Sequence, residues 1–126
     1  MSLRKTLFAL AAQLALAGAV VAMEIDGDLM RGIDDATRSL DSEVAQKDAR
    51  AAAAAARELV DTFARVESHY AATPQTTDAA GYAHKAQGYA ADVLKAVDAN
   101  DFDAAADAVD RLAHSCKSCH DVYKKS

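Results

Sequence analysis

Apolar residues recur along this chain at steps of three and four, the period that lines one face of an α-helix, in four successive stretches. In the first, about residues 25–41, Ile25, Leu29, Ile33, Ala36 and Leu40 share a stripe. The stripe can run on through Val44, so the turn into the second helix is expected somewhere in 42–48. The second stretch, about 48–72, carries Ala52, Ala56, Leu59, Phe63, Val66 and Tyr70, and Thr73-Pro74-Gln75-Thr76 ends it. Thr76 or Thr77 is available to cap the third, about 77–98, whose stripe is Ala79, Ala83, Ala86, Ala90, Val93 and Val97. Ala99-Asn100-Asp101 then makes a short turn into the fourth, about 102–124, which runs Phe102, Ala105, Val109, Leu112, Cys116, Cys119 and Tyr123.

Short connections make antiparallel neighbours, so the predicted fold is all-α, an antiparallel up-down-up-down four-helix bundle. Composition agrees: alanine is abundant, Pro74 is the only proline, and runs of β-branched residues are absent. The low-complexity tract Ala51–Ala56 reads as helix of the highest propensity, not as disorder. No repeat of 20–50 residues is visible, which leaves one domain.

Ahead of the bundle, residues 1–22 read as an export signal that is cleaved after Ala22. Arg4 and Lys5 form a basic start, Leu7 to Val21 an apolar stretch, and Val20-Val21-Ala22 a small-residue cleavage site. The stretch contains Gln13 and Gly18 and is shorter than the roughly 20 apolar residues a membrane span needs. The mature domain, 23–126, is therefore expected in the periplasm with no membrane anchor. Without Arg4 and Lys5, twelve bases face nineteen acids, a net charge of −7. Such a surface repels nucleic acid and favours a basic patch on a redox partner protein.

Against this plain background one motif carries chemistry, Cys116-Lys117-Ser118-Cys119-His120, the Cys-x-x-Cys-His pattern of covalent haem attachment. Two thiols must add to the two vinyl groups on one porphyrin edge while an imidazole reaches the iron. On a helix, spacings of three and four residues put all three side chains on one face. Cys116 and Cys119 are thus the expected thioether positions for one haem c, and His120 the expected proximal iron ligand. A redox Cys-x-x-Cys centre belongs near a βαβ pattern, which is missing here. Structural zinc needs four ligands where the motif supplies three, and a disulfide one helical turn long closes almost no loop.

A signal segment, four antiparallel helices and Cys-x-x-Cys-His near the end together resemble the class II cytochromes c, the cytochrome c′ family. In that family an aromatic and a base follow the motif, matched here by Tyr123 and Lys124, and an N-terminal Leu-Met-Lys-like segment is matched by Leu29-Met30-Arg31. Class I cytochromes, with the motif near the mature N-terminus, fit poorly. The resemblance implies haem proteins that often pair as homodimers through the first two helices, and the small residues of 49–56 permit such contact.

The sixth iron position separates an electron carrier from a gas binder. In an up-down bundle the end of helix four lies beside the start of helix one, and His120 and Met30 each sit about 7–8 Å from those helix ends. Met30 borders the apolar stripe one turn from Ile33, and a thioether raises the potential of haem iron. It is the expected distal ligand, the alternative being a methionine that fills space. His69, His84 and His114 share faces with polar residues and are expected at the surface. Phe63, Tyr70, Tyr82, Tyr89 and Tyr123 are candidates to line a haem crevice, and Arg31, Lys85 and Lys124 to pair with propionates. No residue set suggests hydrolysis or group transfer, so an enzyme is not expected. The resulting expectation is a single-haem electron carrier with His120 and Met30 as axial ligands. Its alternatives are a five-coordinate protein that binds nitric oxide or carbon monoxide, as the resemblance allows, and a helical redox or metal module without haem.

Overall fold

The computed structural model describes residues 25–123. The expected signal, residues 1–22, lies outside them, as do Lys124 and the side chain of Tyr123. Four helices follow one another: α1 (Gly27–Ala45), α2 (Ala49–Ala71), α3 (Thr77–Asp98) and α4 (Phe102–Tyr123). Each packs on its chain neighbours, and α1 closes the ring against α4, which makes an up-down bundle.

Aspartates start three of the helices by accepting a bond from an amide that the first turn leaves unpaired. Asp26 accepts from the Leu29 amide at 2.9 Å, Asp48 from that of Ala51 at 3.2 Å and Asp101 from that of Ala104 at 3.0 Å. Thr76 does sit at the N-cap of α3, yet its side chain makes no capping bond. Its single hydroxyl hydrogen is instead shared between the carbonyls of Thr73 at 2.9 Å and Tyr70 at 3.1 Å, which secures the end of α2. All three reversals pass through a left-handed residue, Lys47 (φ 57°), Gln75 (φ 71°) and Asn100 (φ 56°).

The six α3 positions expected in the core are all buried, as are Ala52, Ala56, Leu59, Phe63 and Val66 of α2, while Tyr70 is half-buried. The α1 helix starts later than expected, with Ile25 ahead of it, and it runs on through buried Val44 to Ala45, so that the turn falls at 46–48, within the expected 42–48. Ala36 is only half-buried, and Thr37 takes the core position beside it. A hydroxyl is tolerated there because it donates to the Ile33 carbonyl at 2.8 Å, so no polar group is stranded. In α4, Ala108 and Ser115 join the buried set. The closest packing is between α2 and α3, whose facing stripes are rich in alanine and so let the two axes approach.

Candidate functional site

Bundle topology brings the end of α4 beside the start of α1, the end of α2 and the start of α3. A cavity of about 350 Å³ lies there, bounded by all four helices. Ile33, Phe63, Val66, Ala83 and Ala86 form its apolar walls. Cys116, Cys119 and His120 line it from α4, and Met30 lines it from α1. The two cysteines are free thiols and half-buried, Met30 is half-buried, and His120 is exposed at the rim. The side chains that the sequence assigned to one site thus share one cavity.

The softer assignments divide. Phe63, Tyr70 and Tyr82 line the cavity, whereas Tyr89 and Lys85 lie in a separate recess between α3 and α4. Arg31 does not line the cavity; it pairs with Asp28 at 3.0 Å on the exposed side of α1. The histidines outside the motif are all at the surface. His84 pairs with Glu67 at 3.0 Å, His69 stands edge-on to the Tyr70 ring with centroids 5.2 Å apart, and His114 Nδ1 donates to the Asp110 carbonyl at 2.8 Å.

Sequence reasoning missed the polar rim of the cavity and one polar atom in its wall. Asp34, Arg38, Asp41 and Asp110 stand exposed around it, with Arg38 bonded to Asp34 at 3.0 Å. The period of α1 places Asp34 and Arg38 one turn apart beside Met30 and Ile33, so that signal was present. Ser115 was hidden by its residue type: it is 8 % exposed, lines the cavity, and its Oγ has no hydrogen-bond partner among the described residues.

Electrostatics hold both cysteines in the neutral form. Burial, assisted by Cys119 and the Asp34 carboxylate, pushes the Cys116 thiol up to about 11, and burial raises Cys119 as well. Thiol–disulfide centres work in the opposite regime, with a thiolate favoured at neutral pH. Apart from their thiol reactivity, then, the cysteines are built as part of an apolar wall.

These residues fit a covalently held haem. Two thiols stand one turn apart, an imidazole follows on the same face, and a thioether faces them from α1 across the cavity. The small side chains of Ala79, Ala83 and Ala86 leave room along α3, and the volume lies within the roughly 300–1,000 Å³ typical of small-molecule sites. Among the described residues no helix is long and apolar enough to cross a membrane. The family model described as Cytochrome C′ matches residues 20–124. No curated protein and no solved structure matches the chain.

Proposed function

The chain belongs to the cytochrome c′ family, whose members carry covalent haem c and are generally non-enzymatic, and from that premise we propose a periplasmic electron carrier with a single haem, exported by the segment 1–22 and exchanging one electron with partner proteins. Cys116 and Cys119 would hold the group through thioethers, His120 would be the proximal ligand of its iron and Met30 the distal one. The observation that carries this reading is the convergence of Met30, from the first turn of α1, with the Cys-x-x-Cys-His side chains of α4 on one cavity.

When bound, haem supplies one-electron chemistry at its iron. The chain's own part is positional. Ile33, Phe63, Val66, Ala83 and Ala86 keep water from the cavity, and a dry shell sets the potential and limits rearrangement of the surroundings. Thr37 lines the same cavity with its hydroxyl hydrogen committed to the Ile33 carbonyl, which fixes the orientation of the side chain. Met30 would supply a soft sulfur on a flexible stem from the first turn of α1.

Absorption spectra of the haem-loaded wild type and of Met30→Ala test the reading. The wild type is expected to be low-spin and indifferent to carbon monoxide, and Met30→Ala high-spin and able to bind it. A high-spin wild type that binds carbon monoxide readily would transfer the assignment to a five-coordinate gas-binding protein. A pyridine haemochrome assay with intact mass separates both from a haem-free module, which would be colourless.

A further inference from the structure

Next to the cavity, on the outer side of α3 and α4, lies a second recess of about 250 Å³ whose chemistry is of another kind. Its walls bring together Lys85, Arg111, His114, Tyr82 and Tyr89. Ser115 also lines it, with a hydroxyl that is buried and unpartnered. Among the described residues no carboxylate lines this recess, and the nearest, Asp107 and Asp110, pair with Arg111 and His114 at its edge. On a chain of 19 acids and 14 bases that is a departure, since Asp34, Asp41 and Asp110 line the cavity and Asp101 and Asp103 the recess at the far end of the bundle.

We propose that this α3–α4 recess binds a small oxyanion, a carboxylate or a phosphate, between Lys85 and Arg111 with Ser115 and the two phenols as further donors. Lysine and arginine can only donate, so their convergence selects an acceptor with several oxygens. Lys85 has no ion-pair or hydrogen-bond partner among the described residues. Arg111 is held by Asp107 at 3.0 Å and His114 lies 3.7 Å from the Asp110 carboxylate, but both pairs are solvent-exposed. Exposed pairs of this kind contribute little and exchange readily for an incoming anion. The buried Ser115 hydroxyl would gain the bond it lacks, and a buried donor left unsatisfied is costly. Tyr82 and Ser115 are walls of both recesses, so an anion held here sits one side chain from the cavity. The site does not depend on whether Met30 ligates iron.

Isothermal titration calorimetry of the full haem-loaded chain, at constant ionic strength in chloride, with inorganic phosphate and separately with acetate, tests the inference. Saturable binding of at least one of them at a single site is expected, weakened about tenfold or more in Lys85→Glu. A smaller loss is expected in Ser115→Ala, and none in Lys47→Glu, which changes a cation at the opposite end of the bundle. Lys85 is exposed, so the fold should survive its replacement, and far-ultraviolet circular dichroism verifies that. Absence of saturable heat with both anions overturns the inference, and so does an equal response of Lys85→Glu and Lys47→Glu.

Discussion

From the middle of the bundle toward the end where α1 turns into α2 and α3 into α4, Leu40, Leu59, Val93 and Leu112 are all but fully buried, and the bundle closes with its own side chains. At the opposite end the same four helices surround a cavity, and Met30, Tyr70, Tyr82, Cys116 and Cys119 are only half-buried around it. The stripe period is shared by both ends; the filling of the space between the helices is not. Leucine, valine and alanine from all four helices fill the first region without a gap, whereas at the second Ala79, Ala83 and Ala86 of α3 stand with Ile33, Phe63 and Val66 around open space. The contrast teaches that the packed end supplies the folding stability and the open end is shaped for a body that is not a side chain.

The strongest way to break that contrast is to remove the attachment points. Cys116→Ala with Cys119→Ala is expected to abolish covalent haem, seen by intact mass, and to lower amide-exchange protection at the start of α1 and the end of α4. Protection around Leu40, Leu59 and Leu112 should persist, because local opening follows local packing. A uniform loss of protection along all four helices would mean that the two ends are one cooperative unit.

Much of this division could be read before any coordinates. The α3 stripe is legible residue by residue because alanine and valine at the helical period admit a single orientation. The motif is equally plain, since cysteine and histidine at that spacing have few competing uses. Thr37 and Ser115 were not legible: a hydroxyl inside a stripe reads as its edge until one sees that Thr37 bonds the Ile33 carbonyl and that Ser115 faces two recesses. The end of α1 was blurred for a different reason. Its reversal turns on Lys47 in the left-handed region, where no glycine, asparagine or proline marks the spot, while Asn100 made the turn before α4 visible. Arg31 and Tyr89 stand outside the cavity lining because distance along the bundle axis was legible but rotation about the helix was not.

Single substitutions in the core sharpen the comparison. Leu112→Ala, at a fully buried position, is expected to cost about 2–5 kcal/mol in denaturant unfolding. A like-for-like pair compares the ends directly: Val93→Ala in the packed end against Val66→Ala in the cavity wall, both in the background lacking Cys116 and Cys119. Val93→Ala should cost clearly more, because a methyl pair lost from a closed core leaves a void with partners on every side. Equal costs would show that the cavity collapses when no haem is attached.

Helix caps give a smaller version of the same comparison. Asp101→Ala removes the cap of α4 at the packed end and is expected to cost about 1 kcal/mol, with or without haem. Asp26→Ala removes the cap of α1 at the cavity end. Its effect should be larger in the haem-loaded protein, where Met30 would tie that first turn to the site, than in the haem-free double variant. Thermal unfolding of the four proteins separates these outcomes.

The smallest expected effect tests whether the cavity end is loosely built for the cofactor or merely tolerates looseness. Gly32 and Gly81 lie inside α1 and α3 at that end, and a Cβ added at either would meet nothing within 4 Å. Neither needs the left-handed region, so glycine there brings only its unfolded-state entropy. Gly81→Ala is therefore expected to stabilise the protein by about 0.5–1 kcal/mol, read by denaturant unfolding, with the haem spectrum unchanged. A stabilised chain with a shifted spectrum would instead place Gly81 among the residues that leave room for the porphyrin, and would extend the open end one turn along α3.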